Sequence, residues 1–170
     1  MTVDKLKIGE VWMRRSDREI TDKNEIYEVM KQCDVCNVAF YQEDYPYVIP
    51  LNFGVSYEDG IFRLYFHAAK EGTKLELLGK NNHVAFSMDH GHKLVMGDNG
   101  TCTMEYESVC GNGSMNFLPE EKKGMALDSI MDQYRAGEDL KHYPEQVLKM
   151  TEVLELTVNE ITGKRRKKTS

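Results

Sequence analysis

The chain has 170 residues, 41% of them hydrophobic and 29% charged, and a formal net charge of −6. This size and composition fit one domain, residues 1–170, with a core that needs no staples. The net negative charge argues against tracking a nucleic acid backbone, and no apolar run is long enough to span a membrane. The start, Met1-Thr2-Val3-Asp4-Lys5, lacks the apolar segment of a secretory signal, so the expected location is cytoplasmic.

Residues 1–11 read as a flexible arm. Trp12, the only tryptophan, serves as its packing anchor, and Arg14, Arg15 and Arg18 follow as a solvated basic cluster. Asp22 then caps a helix, with Glu25 in the capping-box position and Ile26, Val29 and Met30 at helical spacing as far as about Gln32. A strand is expected over 35–41.

Cys33 and Cys36 form a C-x-x-C that closes the helix and opens the strand, whereas a redox dithiol motif opens a helix. Cys102 and Cys110 lie in a strand-like run and do not complete a tetrahedral metal site. All four therefore read as ordinary cysteines behaving as small hydrophobes, with no metal.

Strands over 46–55 and 61–67 are joined by Asp59-Gly60, a strong hairpin signal. Pro50 has no N–H to give a ladder, so its strand needs an edge or a bulge there. A short helix over 73–78 stops near Gly79, Asn81 and Asn82, and a strand follows over 84–88. Residues 90–100, with His90, Gly91, His92, Gly97 and Gly100, have loop composition.

The next strand runs over 102–109 and continues through Gly111-Asn112-Gly113 to Phe117, with a bulge at the glycines. Pro119 opens a helix whose apolar positions run to Tyr134, and Tyr143-Pro144-Glu145 opens a short one to about Met150. A final strand covers 153–161, and 164–170 read as a solvated, flexible basic tail. The sum is a mainly β chain, an antiparallel barrel or sheet of about six strands with peripheral helices, and not a βαβ alternation. No G-x-G-x-x-G opens a helix.

Within this frame one constellation carries chemistry. The strand over 61–67 ends in His67-Ala68-Ala69, and Gly72-Thr73-Lys74 then opens the following helix. A cation and free backbone amides at a strand-to-helix junction suit an anion such as a phosphate.

The ordered set Met13-Arg14-Arg15-x-Asp17-Arg18, Tyr47-Val48-x-Pro50-Leu51-Asn52-Phe53, Tyr65-Phe66-His67-x-Ala69-x-x-Gly72-x-Lys74, Glu107-Ser108-Val109-x-Gly111-x-Gly113 and Ile161-Thr162-Gly163-Lys164 resembles the nitroimidazole-resistance branch of the pyridoxamine 5′-phosphate oxidase-related FMN-binding proteins. The resemblance covers roughly residues 12–165. It implies an FMN-binding split β-barrel that forms a homodimer with the flavin at the subunit interface. Val48, Ile49, Pro50, Leu51 and Asn52 would then lie along the isoalloxazine ring. His67, Thr73 and Lys74 would sit near the phosphate or ribityl chain, with His67 as the catalytic residue. The family often has Ser or Gly where this chain has Ala68, so one hydroxyl contact is lost.

The implied function is an FMN-dependent oxidoreductase acting on a small molecule, nitro-aromatic in its sharpest form. A non-catalytic flavin- or haem-binding protein of the same fold is the alternative. A pyridoxamine-phosphate oxidase proper is disfavoured, because the arginine-rich C-terminal substrate motif of those enzymes is not found.

Overall fold

The computed structural model describes residues 15–97, 100–134 and 140–166. Trp12, Arg14, the arm over 1–11 and Lys167 to Ser170 lie outside them.

Two residues of β1 (Glu19–Ile20) precede helix α1 (Lys23–Gln32). The cap is the expected one, since Asp22 accepts from the Asn24 N–H at 2.8 Å. Strands β2 (Cys36–Phe40), β3 (Tyr47–Leu51), β4 (Gly54–Glu58) and β5 (Ile61–Ala69) follow, then α2 (Thr73–Lys80). Two long strands, β6 (His83–Met96) and β7 (Cys102–Phe117), lead to α3 (Lys123–Gln133), α4 (Glu145–Met150) and β8 (Thr151–Arg166).

All strand pairings are antiparallel, and the sheet has eight strands rather than about six. The order is β3-β2-β6-β7-β8-β5-β4, with β1 paired to β8. The two edge strands, β3 and β4, are consecutive in the chain and joined only by Asn52-Phe53. A link that short forces the ends of the sheet to come round to one another. They meet without forming a ladder, so the sheet is a barrel split along one side.

Three other expectations are corrected. The segment over 46–55 is two strands, because the chain leaves the β2 ladder after Leu51 and joins β5 from Gly54. Residues 90–96 are not a loop. β6 absorbs a register shift between His90 and Lys93, with Gly91 at φ 71, and continues to Met96 against β7.

The basic stretch 164–166 is not a solvated tail. It is the end of β8, where Arg165 sits opposite Glu107 and bridges to it, and its Nη1 donates to Glu25 of α1 at 2.8 Å. Carboxylates from two other elements recruit this basic residue into the sheet. Lys164 lies over the Tyr106 ring at 5.8 Å.

Other expectations hold. Asp59 and Gly60 take φ 52 and 79, as a type I′ hairpin turn requires. Pro50 lies on an edge strand, and the β7–β8 register shifts between Asn112 and Gly113.

Alternation puts Phe62, Leu64 and Phe66 of β5 and Leu154 and Leu156 of β8 inside, where α1 adds Ile26, Val29 and Met30. Each of these large side chains contributes about 1.5–3 kcal/mol by leaving water. A smaller cluster, Tyr65, Leu118, Ala126, Ile130 and Val153, fastens α3 to the outer side of the sheet.

That packing depends on Gly54. A Cβ there would lie 2.5 Å from the Ile130 nitrogen and 2.5 Å from the Ser129 carbonyl carbon, both backbone atoms. Gly54→Ala is therefore expected to destabilise the fold by about 2–3 kcal/mol, read as a lower urea midpoint with an unchanged slope. A midpoint equal to that of the parent would refute this account of the α3 contact.

Candidate functional site

Strand β3 runs along the split edge. Its alternation turns Tyr47, Ile49 and Leu51 toward the core and leaves Val48 and Pro50 exposed, Val48 at 56%. Of the strand residues expected to face a ligand, only these two offer side chains outward. Ile49 and Leu51 could contribute only main-chain groups.

Asn52 follows, and its carboxamide is held. Nδ2 donates to the Tyr134 hydroxyl at 3.0 Å and makes a longer contact with the Asp34 carbonyl at 3.5 Å. The same hydroxyl accepts from the Phe53 N–H at 3.2 Å and donates to the Asp34 carbonyl at 2.7 Å. Next to it in the chain, Gln133 Nε2 donates to the Met30 carbonyl at 3.0 Å and the Cys33 carbonyl at 2.8 Å. Both carbonyls lie at the end of α1; that of Met30 also accepts from the Cys33 N–H, and that of Cys33 is one that a helix C-terminus leaves without an intrahelical partner. One dipeptide at the end of α3 thus ties α1, the α1–β2 link and the β3–β4 link together. Sequence periodicity places Tyr134 on the helix and gives no sign of this role.

The second half of the site lies where β5 gives way to α2. Alternation exposes His67 and buries Ala68 at 6%. Gly72 caps α2 at φ 136, a conformation that a side chain would strain. Its carbonyl accepts from the Leu75 and Glu76 N–H groups, while the N–H groups of Thr73 and Lys74 have no partner among the described residues. No described carboxylate pairs with Lys74, and none with His67. The junction therefore offers open amides, a hydroxyl and an ammonium to an anion, which is the donor set a phosphate requires. Helix α2 packs on β2, whose neighbour is β3, so β2 links the two halves.

A groove of about 1110 Å³ lies elsewhere, between α1, the β4–β5 hairpin and α3. Arg63, Tyr65, Asp128 and Glu155 are among its walls, and none of the expected site residues lines it.

The remaining candidates resolve into packing and contacts with neighbouring carboxylates. His90 stands opposite Glu107, with Nε2 at 3.4 Å from its carboxylate, and His92 lies 3.1 Å from Asp89. Arg15 pairs with Asp17 at 2.6 Å, and this guanidinium holds the Asp17 carboxyl at about 2. Among the described residues no cluster of three or more His, Cys, Asp or Glu could hold a metal ion.

Cys33 and Cys36 are buried. Burial pushes the Cys33 thiol up to about 12, and that of Cys36 higher still. Both stay protonated at neutral pH, so neither serves as a thiolate nucleophile.

This architecture, an antiparallel barrel split between consecutive edge strands, is that of a class with flavin-binding and haem-binding representatives. Structures of the FAD and haem binding protein from Mycobacterium smegmatis (18% identity, 88% of this chain and 74% of that one, TM-score 0.75) and the flavocytochrome from Azotobacter vinelandii (19%, 92% and 72%, 0.75) share the fold. The pyridoxamine 5′-phosphate oxidase family model matches residues 22–165, and the chain belongs to that family. It is also 36% identical to a candidate 5-nitroimidazole antibiotic resistance protein from Bacteroides thetaiotaomicron, over 86% of each chain and with a TM-score of 0.75. No curated protein sequence matches the chain. Among the described residues no helix is long and apolar enough to cross a membrane.

The thiol assignments carry a direct expectation. In the native protein at pH 8, iodoacetamide should alkylate the exposed Cys102 and Cys110 and spare Cys33 and Cys36, as read by peptide mass spectrometry. Native-state labelling of Cys36 at the rate of Cys102 would show that the α1–β2 junction opens.

Proposed function

We propose that this protein is an FMN-dependent oxidoreductase that works as a homodimer with flavin at the subunit interface. The observation that carries the reading is the α2 junction, where two first-turn amides and the Lys74 ammonium stand without an anionic partner among the described residues. A lysine in the first turn of a helix is disfavoured by the helix dipole, and a bound phosphate offsets that cost. The exposed edge at Val48 and Pro50 and the held Asn52 amide supply a surface for the ring.

When bound, flavin supplies the electron-transfer chemistry. The chain's own contribution is to bind the phosphate through Thr73 and Lys74 and to orient the ring along β3. His67, exposed and without a described partner, can hold a proton on an imidazole nitrogen and release it to a substrate as electrons arrive. Reduction of a nitro-aromatic consumes protons as well as electrons, and the resemblance to a candidate 5-nitroimidazole resistance protein supports that substrate class.

The purified protein should be yellow and release FMN on denaturation. Titration of the apoprotein by flavin fluorescence quenching should show Lys74→Ala and His67→Ala each weakening FMN binding by about tenfold, the scale of one charge-assisted hydrogen bond. Full affinity in the double variant would overturn the phosphate-end assignment. Mixing the reduced flavoprotein with a 5-nitroimidazole should reoxidise it faster than dioxygen does. No advantage over dioxygen would remove the nitroreductase reading and leave flavin binding alone.

A further inference from the structure

Alternation on β5 turns Phe62, Leu64 and Phe66 inward and Arg63, Tyr65 and His67 to the outer face. Arg63 is half-buried in the wall of the groove of about 1110 Å³ between α1, the β4–β5 hairpin and α3. It stands opposite Ser56 of β4 on one side and Thr157 of β8 on the other. Two residues along the same face, Tyr65 stands opposite Glu155, which is half-buried in the same groove. Arg63 and Glu155 are therefore diagonal neighbours across β5 and β8. Their Cβ atoms are about 7–8 Å apart in such an arrangement, a gap that long side chains can span. They nevertheless form no ion pair, and neither has a hydrogen-bond partner among the described residues.

The other charges of the groove are accounted for. Asp128 accepts from the Tyr143 hydroxyl at 2.9 Å, Asp132 bridges to Lys141 at 2.6 Å, and Glu28 bridges to Lys31 at 2.7 Å. Glu58, Asp59, Glu121 and Lys122 are exposed, where water and salt screen them. Among the described residues, the half-buried charges left over in this groove are thus one cation and one anion, side by side. Holding a charge partly out of water without a partner is costly.

We propose that this groove binds a small zwitterion of the α-amino acid class. Its carboxylate takes the Arg63 guanidinium and its ammonium takes the Glu155 carboxylate. The planar guanidinium fork matches a carboxylate in two parallel hydrogen bonds. Ser56, whose hydroxyl makes one long contact of 3.4 Å with that of Tyr65, can add a third donor to the same carboxylate. A purely anionic ligand would meet Glu155, and a purely cationic one would meet Arg63. A ligand with both signs satisfies both. Tyr27 and Met125 also line the groove and offer apolar wall to the ligand's side chain, which favours an apolar amino acid. The proposal does not depend on flavin.

The test uses three probes that share a phenyl ring. L-phenylalanine carries both charges, phenethylamine lacks the carboxylate and hydrocinnamate lacks the ammonium. Each is titrated into the isotope-labelled full-length protein and followed by the amide resonances of β5 and β8. L-phenylalanine should bind at least about tenfold more tightly than either analogue. Arg63→Met should abolish the preference over phenethylamine, and Glu155→Gln the preference over hydrocinnamate. Binding of L-phenylalanine no tighter than that of the analogues, or no binding of any probe, would overturn the proposal. So would parent-like preferences in either variant. If Arg63→Met does not fold, the near-isosteric Glu155→Gln decides alone. Without ligand, the urea midpoint shifts of the two variants should add in the double variant. Strong coupling would mean that Arg63 and Glu155 satisfy one another in solution, which also refutes the site.

Discussion

The fold turns on closure of a sheet whose two edges are neighbours in the chain. Strands β3 and β4 share no ladder, and the link between them, Asn52-Phe53, is short and polar on one side. What holds the split is a small set of hydrogen bonds from Gln133 and Tyr134 to the end of α1 and to the link itself. Of the groups reached in this way, the amide of the fully buried Phe53 would otherwise stand unpaired, at a cost of about 1–3 kcal/mol. Helix α3 can reach the split because Gly54 lets its backbone lie directly on β4. A missing side chain and a terminal dipeptide thus serve the same closure.

This closure also orders the proposed ligand surface. The ring end on β3 borders the split, and the phosphate end at α2 reaches it through β2. Neither half coincides with the groove that runs along α1, the β4–β5 hairpin and α3. A flavin lying along an exposed edge strand would be open on one side, and a second subunit over that edge is the economical way to cover it. The proposed homodimer and the proposed cofactor are therefore one hypothesis in physical terms.

Much of the sheet is legible in the sequence because strand alternation and turn chemistry are local. Asp59-Gly60, the Asp22 cap and the bulge near Gly113 are each written within a few residues. The misread elements have non-local causes. Basic residues 164–166 look like a solvated tail until Glu107 and Glu25, distant in the chain, are brought beside Arg165. Residues 90–96 have loop composition, yet the β7 ladder carries them past the kink at Gly91 as strand. The candidate site divides in the same way. The phosphate-type junction shows as a compact motif, His67 to Lys74, whereas the partner of Asn52 comes from Tyr134 with no mark in the sequence to announce it.

The position of β8 has a consequence for how the chain is made. It is the last of the described strands to be synthesised, yet it lies inside the sheet, between β7 and β5, and also pairs with β1. Until it emerges, the β4–β5 hairpin has no sheet to join, and the inner faces of β5 and β7 lack Leu154 and Leu156, both of which end at 0% exposure. The nascent chain therefore carries two open sheet fragments that only β8 can splice, with pairings of long sequence separation that slow folding. A ribosome that stops short of this strand leaves a product without the middle of its sheet, open to capture by chaperones or proteases.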